Sequence, residues 1–189
     1  MAPVFAVDDP RAPDVRALLA THLAFARSLS PPEHVHALEP DGLLEPAVTF
    51  FSARDEGRLV GVGALKLLDG HHGELKSMHV ARHARGRGVG RALVAHLLSE
   101  ARRRGCRRVS IETGTMDGFA PARALYAAAG FAPCAPFAPY SANPYSVCMT
   151  LRLDESPGSA SPARGDGPGG TADACTSEDG HAVGQVEGR

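Results

Sequence analysis

A chain of 189 residues with 43% apolar and 22% charged side chains has the size of one domain with a real core, plus some excess. Its net charge of −1 sums two unlike parts: residues 154–189 carry seven acids against Arg164 and Arg189, or −5, which leaves +4 on residues 1–153. Cys106, Cys134, Cys148 and Cys175 form no C-x-x-C pair and have no histidine at ligand spacing, which argues against a zinc site and a disulfide framework. No run approaches about 20 apolar residues and no basic-then-apolar leader opens the chain, so a cytoplasmic protein without a membrane partner is expected.

Val4 to Val7 reads as a short edge strand ended by Asp8-Asp9-Pro10. Asp14 is placed to cap a helix whose apolar positions Val15, Leu18, Leu19, Leu23 and Phe25 follow helical spacing up to Pro31-Pro32. Ser30 to Pro46 is a loop or second short helix. Its His34 and His36, near Glu33, Glu39 and Asp41, read as part of a solvated connection rather than a metal site. Val48 to Ala53 and Leu59 to Leu67 form a hairpin around Arg54 to Arg58. A polar turn, Asp69-Gly70-His71-His72-Gly73, leads into a strand from Glu74 to Val80.

The loop His79-Val80-Ala81-Arg82-His83-Ala84-Arg85-Gly86-Arg87-Gly88-Val89-Gly90-Arg91 then joins this strand to a helix from about Val89 to Arg104. Val89, Leu93, Val94, Leu97, Leu98 and Ala101 line one side of that helix, Gly105 supplies its C-terminal cap, and Arg102-Arg103-Arg104 complements its dipole. Arg107 to Glu112 alternates as a fifth strand. A loop to Phe119, a short helix from Pro121 to Ala129 capped by Gly130, and strands Phe131 to Phe137 and Val147 to Leu153 complete a mixed α/β domain over residues 1–153. Residues 154–189 hold eight glycines and no aromatic side chain, too little apolar surface to offset their ordering entropy, so a disordered acidic tail is expected.

The glycine loop carries the chemistry. Glycines turn backbone N–H groups inward, and a helix starting there adds unpaired N–H groups and positive dipole, the arrangement that binds a phosphate or pyrophosphate. The dinucleotide fingerprint G-x-G-x-x-G fails, because Arg91 and Leu93 stand where a third glycine is required. No G-x-x-x-x-G-K-[ST] is present. What remains is R-x-x-G-x-G, as Arg85-Gly86-Arg87-Gly88-Val89-Gly90, with Glu74 six residues before Val80, and Leu125-Tyr126 followed by Gly130-Phe131 on the later helix. Together these resemble the GNAT superfamily of acetyl-CoA-dependent N-acetyltransferases. A tighter likeness spans about residues 30–153. It rests on Glu74-Leu75-Lys76-Ser77-Met78, Glu112-Thr113-Gly114, Phe119 to Tyr126, and Pro136-Phe137 with Tyr140, Asn143-Pro144 and Ser146-Val147, and it points to small, mostly uncharacterised bacterial members. One departure is that Asp117, Phe119 and Ala120 occupy the region where many members place an asparagine before the tyrosine helix.

The resemblance implies a mixed α/β (α+β) GNAT-like fold: a central, mostly antiparallel twisted sheet of about seven strands, splayed between strands 4 and 5, with helices on both faces. It implies acetyl-CoA as co-substrate, without a metal. Backbone groups of Met78, His79 and Val80 would pair with the pantetheine arm. The N–H groups from Gly86 to Arg91 would wrap the pyrophosphate, with Arg85 and Arg87 adding charge. A backbone N–H near Met78 or His79 would serve the oxyanion. Tyr126 is the candidate acid for the leaving thiolate, against the alternative of a core aromatic. Glu74 is the candidate base, against a cross-face ion pair with Lys76. His79 could share that work, although on strict alternation it faces the other way. The segment Ser30 to Leu44, with His34 and His36, is expected to shape the acceptor pocket. The acceptor is expected to be a small-molecule amine or amino acid, the alternatives being a protein N-terminus or lysine, or a non-catalytic acyl-CoA-sensing module. Nine arginines between Arg82 and Arg108 lack interleaved aromatic platforms, which argues against nucleic acid. A homodimer, common in the family, leaves no mark in the sequence.

Overall fold

In a computed structural model, the described residues are 3–31, 40–137 and 139–153. Seven strands form one sheet: β1 (Val4–Val7), β2 (Val48–Asp55), β3 (Arg58–Leu67), β4 (His72–Val80), β5 (Arg108–Gly114), β6 (Ala132–Cys134) and β7 (Ser146–Arg152). The spatial order is β1-β2-β3-β4-β5-β7-β6, and every pair is antiparallel except β4–β5. Three α-helices flank it: α1 (Pro13–Leu29), α2 (Val89–Arg103) and α3 (Ala120–Ala128). None of the described helices is long and apolar enough to cross a membrane.

Alternation along the strands sorts the core into two layers. Phe51, Leu65, Leu75, Val109 and Ile111 pack with Leu93, Leu97 and Tyr126 under α2 and α3. Phe50, Val62 and Ala64 pack on the other face with Val15 and Leu19 of α1 and with Leu43. Leu93 and Leu97 are wholly buried, so truncating either to alanine is expected to cost about 2–5 kcal/mol.

Several local expectations shift by a few residues, each for a physical reason. Pro13 takes the first helical position of α1, for which its fixed φ is suited, so Ala12 rather than Asp14 stands at the N-cap. The Asp14 carboxylate instead pairs with Arg54, 2.7 Å away, and Arg54 also reaches Asp8 at 3.0 Å, tying α1 and the end of β1 to the hairpin. The hairpin turn is only two residues, Glu56 and Gly57, both at positive φ, and the strands run further than expected on each side. β6 shrinks to three residues, with Pro133 inside it and Pro136 beyond it limiting the ladder.

The largest correction concerns His72, expected in a polar turn. It opens β4, is buried, and pairs opposite Arg108. The Arg108 guanidinium can only donate, so His72 Nδ1 accepts (2.9 Å) and Nε2–H donates to Ser110 Oγ (2.8 Å). The Ser110 hydroxyl donates in turn to Thr150 Oγ1, 2.9 Å away. Burial lowers the His72 pKa, which suits this neutral tautomer.

The parallel contact between β4 and β5 ends early. Only His72, Gly73 and Glu74 pair with Arg108, Val109 and Ser110. Beyond them β4 stays with β3 and β5 stays with β7, so the sheet forks.

Candidate active site

The fork opens into a cleft of about 560 Å³, walled by β4, β5, the second half of α1, the glycine loop and α3. Its geometry begins with an irregularity in β4. Ser77 has φ 51°, and the β3–β4 register shifts between Val62 and Ala64. This bulge moves every later side chain of β4 to the opposite face. Glu74, Lys76 and His79 pair with Lys66, Ala64 and Val62, and Val62 and Ala64 belong to the α1-side core. His79 therefore shares a face with Glu74, against strict alternation. Met78 turns the other way, toward Gly63, Leu93 and Leu97.

After Val80 a single 3-10 turn, Arg82–Ala84, precedes the loop. Gly86 and Gly88 have φ of 75° and 81°, a left-handed backbone that side chains other than glycine rarely adopt. Gly88 is the N-cap of α2, and the Ala92 N–H donates to its carbonyl at 3.0 Å. The N–H groups of Val89, Gly90 and Arg91 thus head the helix without an intrahelical acceptor. Nine of the ten residues expected to contact the cofactor line the cleft: Met78, His79, Val80, Arg85, Gly86, Gly88, Val89, Gly90 and Arg91.

Arg87 is the exception. Its guanidinium donates to Asp55 at 3.0 Å, and it lines a separate recess with Asp55, Glu56, Arg58, Val60 and His83. Its side chain pairs with the hairpin and does not line the cleft. Arg85 keeps its place. Its Nε donates to the Val80 carbonyl at 3.2 Å, and Nη2 lies 3.5 Å from His79 Nε2.

Tyr126 projects from α3 into the cleft, 4% exposed, with its ring packed edge-on against Phe131. Tyr126 is at once a member of the core and a lining residue of the cleft. Burial raises its pKa, so the phenol stays protonated. Among the described residues its hydroxyl has no hydrogen-bond partner.

Glu74 is 2% exposed and adopts the arrangement left open as its alternative. Lys76 Nζ donates to Glu74 Oε1 at 3.0 Å and to Tyr140 Oη at 2.6 Å, while the Tyr140 hydroxyl donates to the same Glu74 oxygen. Tyr140 comes from the β6–β7 connection and was not singled out as a site residue. The only sequence signal was its place in the Pro136 to Val147 stretch. Burial and then the neighbouring Glu74 charge raise its pKa, which keeps it the donor in this triangle.

A histidine pair, also missed, lines the same side. The rings of His22 of α1 and His79 meet at a tilt of 52° with 5.1 Å between centroids, and burial pushes both down to about 4 from 6.5. His22 Nδ1 is buried without a hydrogen-bond partner. No residue three or four apart on one helix could have revealed this contact, because it joins α1 to β4. Glu112 of β5, half-buried, faces the cleft across the fork. His34 and His36 lie outside the described residues. Among the described residues no group of three or more His, Cys, Asp or Glu side chains could hold a metal ion.

The arrangement has two ends. One is a cradle of main-chain N–H groups fit for a diphosphate, and the other is a polar chamber of carboxylates, an ammonium and neutral imidazoles. Comparison with known proteins bears on what joins them. A model of the acetyltransferase (GNAT) family matches residues 15–131. An uncharacterized N-acetyltransferase of Bacillus subtilis, YsnE, is 44% identical, covering 78% of this chain and 97% of that protein. A candidate acyl-CoA N-acyltransferase from Klebsiella pneumoniae superposes with a TM-score of 0.66 at 30% identity, over 80% of this chain and 97% of the other. A GNAT acetyltransferase of Elizabethkingia anophelis, solved with acetyl-CoA bound, has the same fold, with a TM-score of 0.60 at 19% identity over 80% and 99% of the two chains.

Proposed function

The chain belongs to the GNAT acetyltransferase family, and from that premise we propose that it moves an acetyl group from acetyl-CoA to a primary amine of a small molecule or amino acid, by direct attack in a ternary complex. The observation that carries this reading is the fork between β4 and β5, which leads from the glycine cradle to Tyr126 and the carboxylates. Acetyl-CoA supplies an activated thioester, and the chain supplies position and electrostatics.

In this reading the N–H groups of Gly86, Gly88 and the first turn of α2 hold the pyrophosphate, with Arg85 beside them. Main-chain groups along the forked edge of β4, from Met78 to Val80, pair with the pantetheine arm. A backbone N–H near Met78 or His79 serves the charge that develops on the thioester oxygen, a donor typically worth ~3 kcal/mol of barrier. Tyr126 protonates the leaving thiolate, as a phenol kept protonated by burial can. Glu74 contributes negative charge where an ammonium would arrive, fixed by Lys76 and Tyr140.

The test is a panel of amines and amino acids with purified protein and acetyl-CoA, followed by release of free thiol. Thiol release with at least one amine is expected, together with saturable coenzyme A binding. Binding without release on any amine would redirect the reading to a protein N-terminus or lysine, or to an acyl-CoA-sensing role.

A further inference from the structure

The catalytic carboxylate is open to assignment once Glu74 is found in a closed triangle. Glu74 Oε1 already receives Lys76 Nζ and the Tyr140 hydroxyl, so protonating this carboxylate would weaken two charge-assisted bonds at once. A second carboxylate stands nearby. Glu74 pairs with Ser110 across the last rung of the parallel ladder. Glu112 lies two residues further along β5, hence on the same face and past the point where the strands part. It lines the cleft near Ser146, which favours its charged form and whose hydroxyl oxygen accepts from Asn143 Nδ2 at 3.1 Å.

We propose that Glu112 is the base that removes the proton from the acceptor's ammonium, while Glu74 remains the fixed anion of the Lys76–Tyr140 cluster. This rests on the acetyltransferase reading above. Two protons must leave the nitrogen of R–NH3+ as its C–N bond forms and the C–S bond of the thioester breaks. One goes to Glu112 and from there to solvent at the cleft mouth. The other balances the proton that Tyr126 gives to the departing sulfur, so one proton is released per turnover.

The surroundings divide the two carboxylates by environment, which is how paired acids acquire different roles. The groups that face Glu112 are Glu74 and Lys76 from β4, Tyr140 from the β6–β7 connection, and Ser146 and Cys148 from β7. Burial raises its pKa above the ordinary carboxylate range, and the nearby Glu74 charge adds to this, while Ser146 and Lys76 oppose it. A carboxylate so raised is the better proton acceptor near neutral pH.

The experiment compares wild type, Glu112→Gln and Glu74→Gln in the full chain. Carboxyl titration followed by infrared difference spectra, without any co-substrate, is expected to show one group titrating above the ordinary range that is absent from Glu112→Gln. In thiol-release assays wild-type kcat/KM for the amine falls on the acid side, as Glu112 becomes protonated. Glu112→Gln is expected to lose that limb and about 100-fold in kcat, with coenzyme A affinity within twofold of wild type. Retention of the acid limb and full turnover in Glu112→Gln would overturn the assignment. So would a limb and a raised titration that vanish in Glu74→Gln instead. A wild type that releases no thiol with any amine overturns the transferase reading itself, a result distinct from an active enzyme indifferent to Glu112.

Discussion

The two ends of the cleft are built on different principles. The cradle is one continuous stretch, Val80 to Arg91, and it works through main-chain N–H groups whose direction is set by two glycines at positive φ and a helix start. The chamber takes His22 from α1, Glu74, Lys76 and His79 from β4, Glu112 from β5 and Tyr140 from a distant connection. A ligand part common to all acetyl-CoA enzymes can be held by backbone geometry. An acceptor that differs from one enzyme to another has to be read by side chains, and these come from wherever the fold can reach. The contrast explains why the donor was identifiable and the acceptor was not.

The comparison can be broken most severely at Gly88. Its φ of 81° is strained for any β-branched residue, although a Cβ there would meet no atom within 4 Å. Gly88→Val is therefore expected to act through the backbone alone, lowering coenzyme A affinity by about 100-fold or more while the fold survives. Isothermal titration and circular dichroism together check this, and unchanged affinity would mean that the cradle is misread.

Next in size is Tyr126→Phe, expected to reduce kcat by about 100-fold with coenzyme A affinity nearly intact. Equal losses in both would assign Tyr126 to packing rather than to proton transfer.

The histidine pair probes the chamber by pH. His22 and His79 are held near 4 in the folded chain, below their ordinary 6.5, so the unfolded chain takes up protons first as pH falls. Their contribution to stability is complete above pH 6.5 and is lost as pH falls through about 4. Melting temperature should fall by several degrees across that window, and less steeply in His22→Phe. Identical slopes in the two proteins would show that the ring of His22 is not shielded from water.

The smallest effect sharpens the cradle. Arg87→Ala removes a partly exposed pair with Asp55, worth roughly 1 kcal/mol or less, and should leave coenzyme A affinity within twofold. A tenfold loss of affinity would restore Arg87 to the binding site.

Local signals carried most of the fold. Hydrophobic periodicity located α2 and the hairpin strands, Gly105 and Gly130 marked the ends of α2 and α3, and the short helix bearing Tyr126 was placed to within a residue at each end. What was misread was long-range. His72 looked like a turn residue because its partners, Arg108 and Ser110, lie on another strand. His79 was sent to the wrong face because the bulge at Ser77 occurs at a residue whose type does not announce positive φ. Arg87, expected by its charge beside a phosphate, pairs with Asp55 on the hairpin, a contact that its own neighbourhood in the chain does not announce.

The sequence by itself determined the elements, the αL cradle and the tyrosine helix, because glycine conformation, capping and amphipathic spacing act over a few neighbouring residues. Only the tertiary structure decided how far β4 and β5 run together before they part, that Ser77 reverses the face of His79, and that Lys76 and Tyr140 close around Glu74 and leave Glu112 open. Those outcomes depend on strand pairing and on side chains far apart in the chain, and their energies exist only after the sheet has formed.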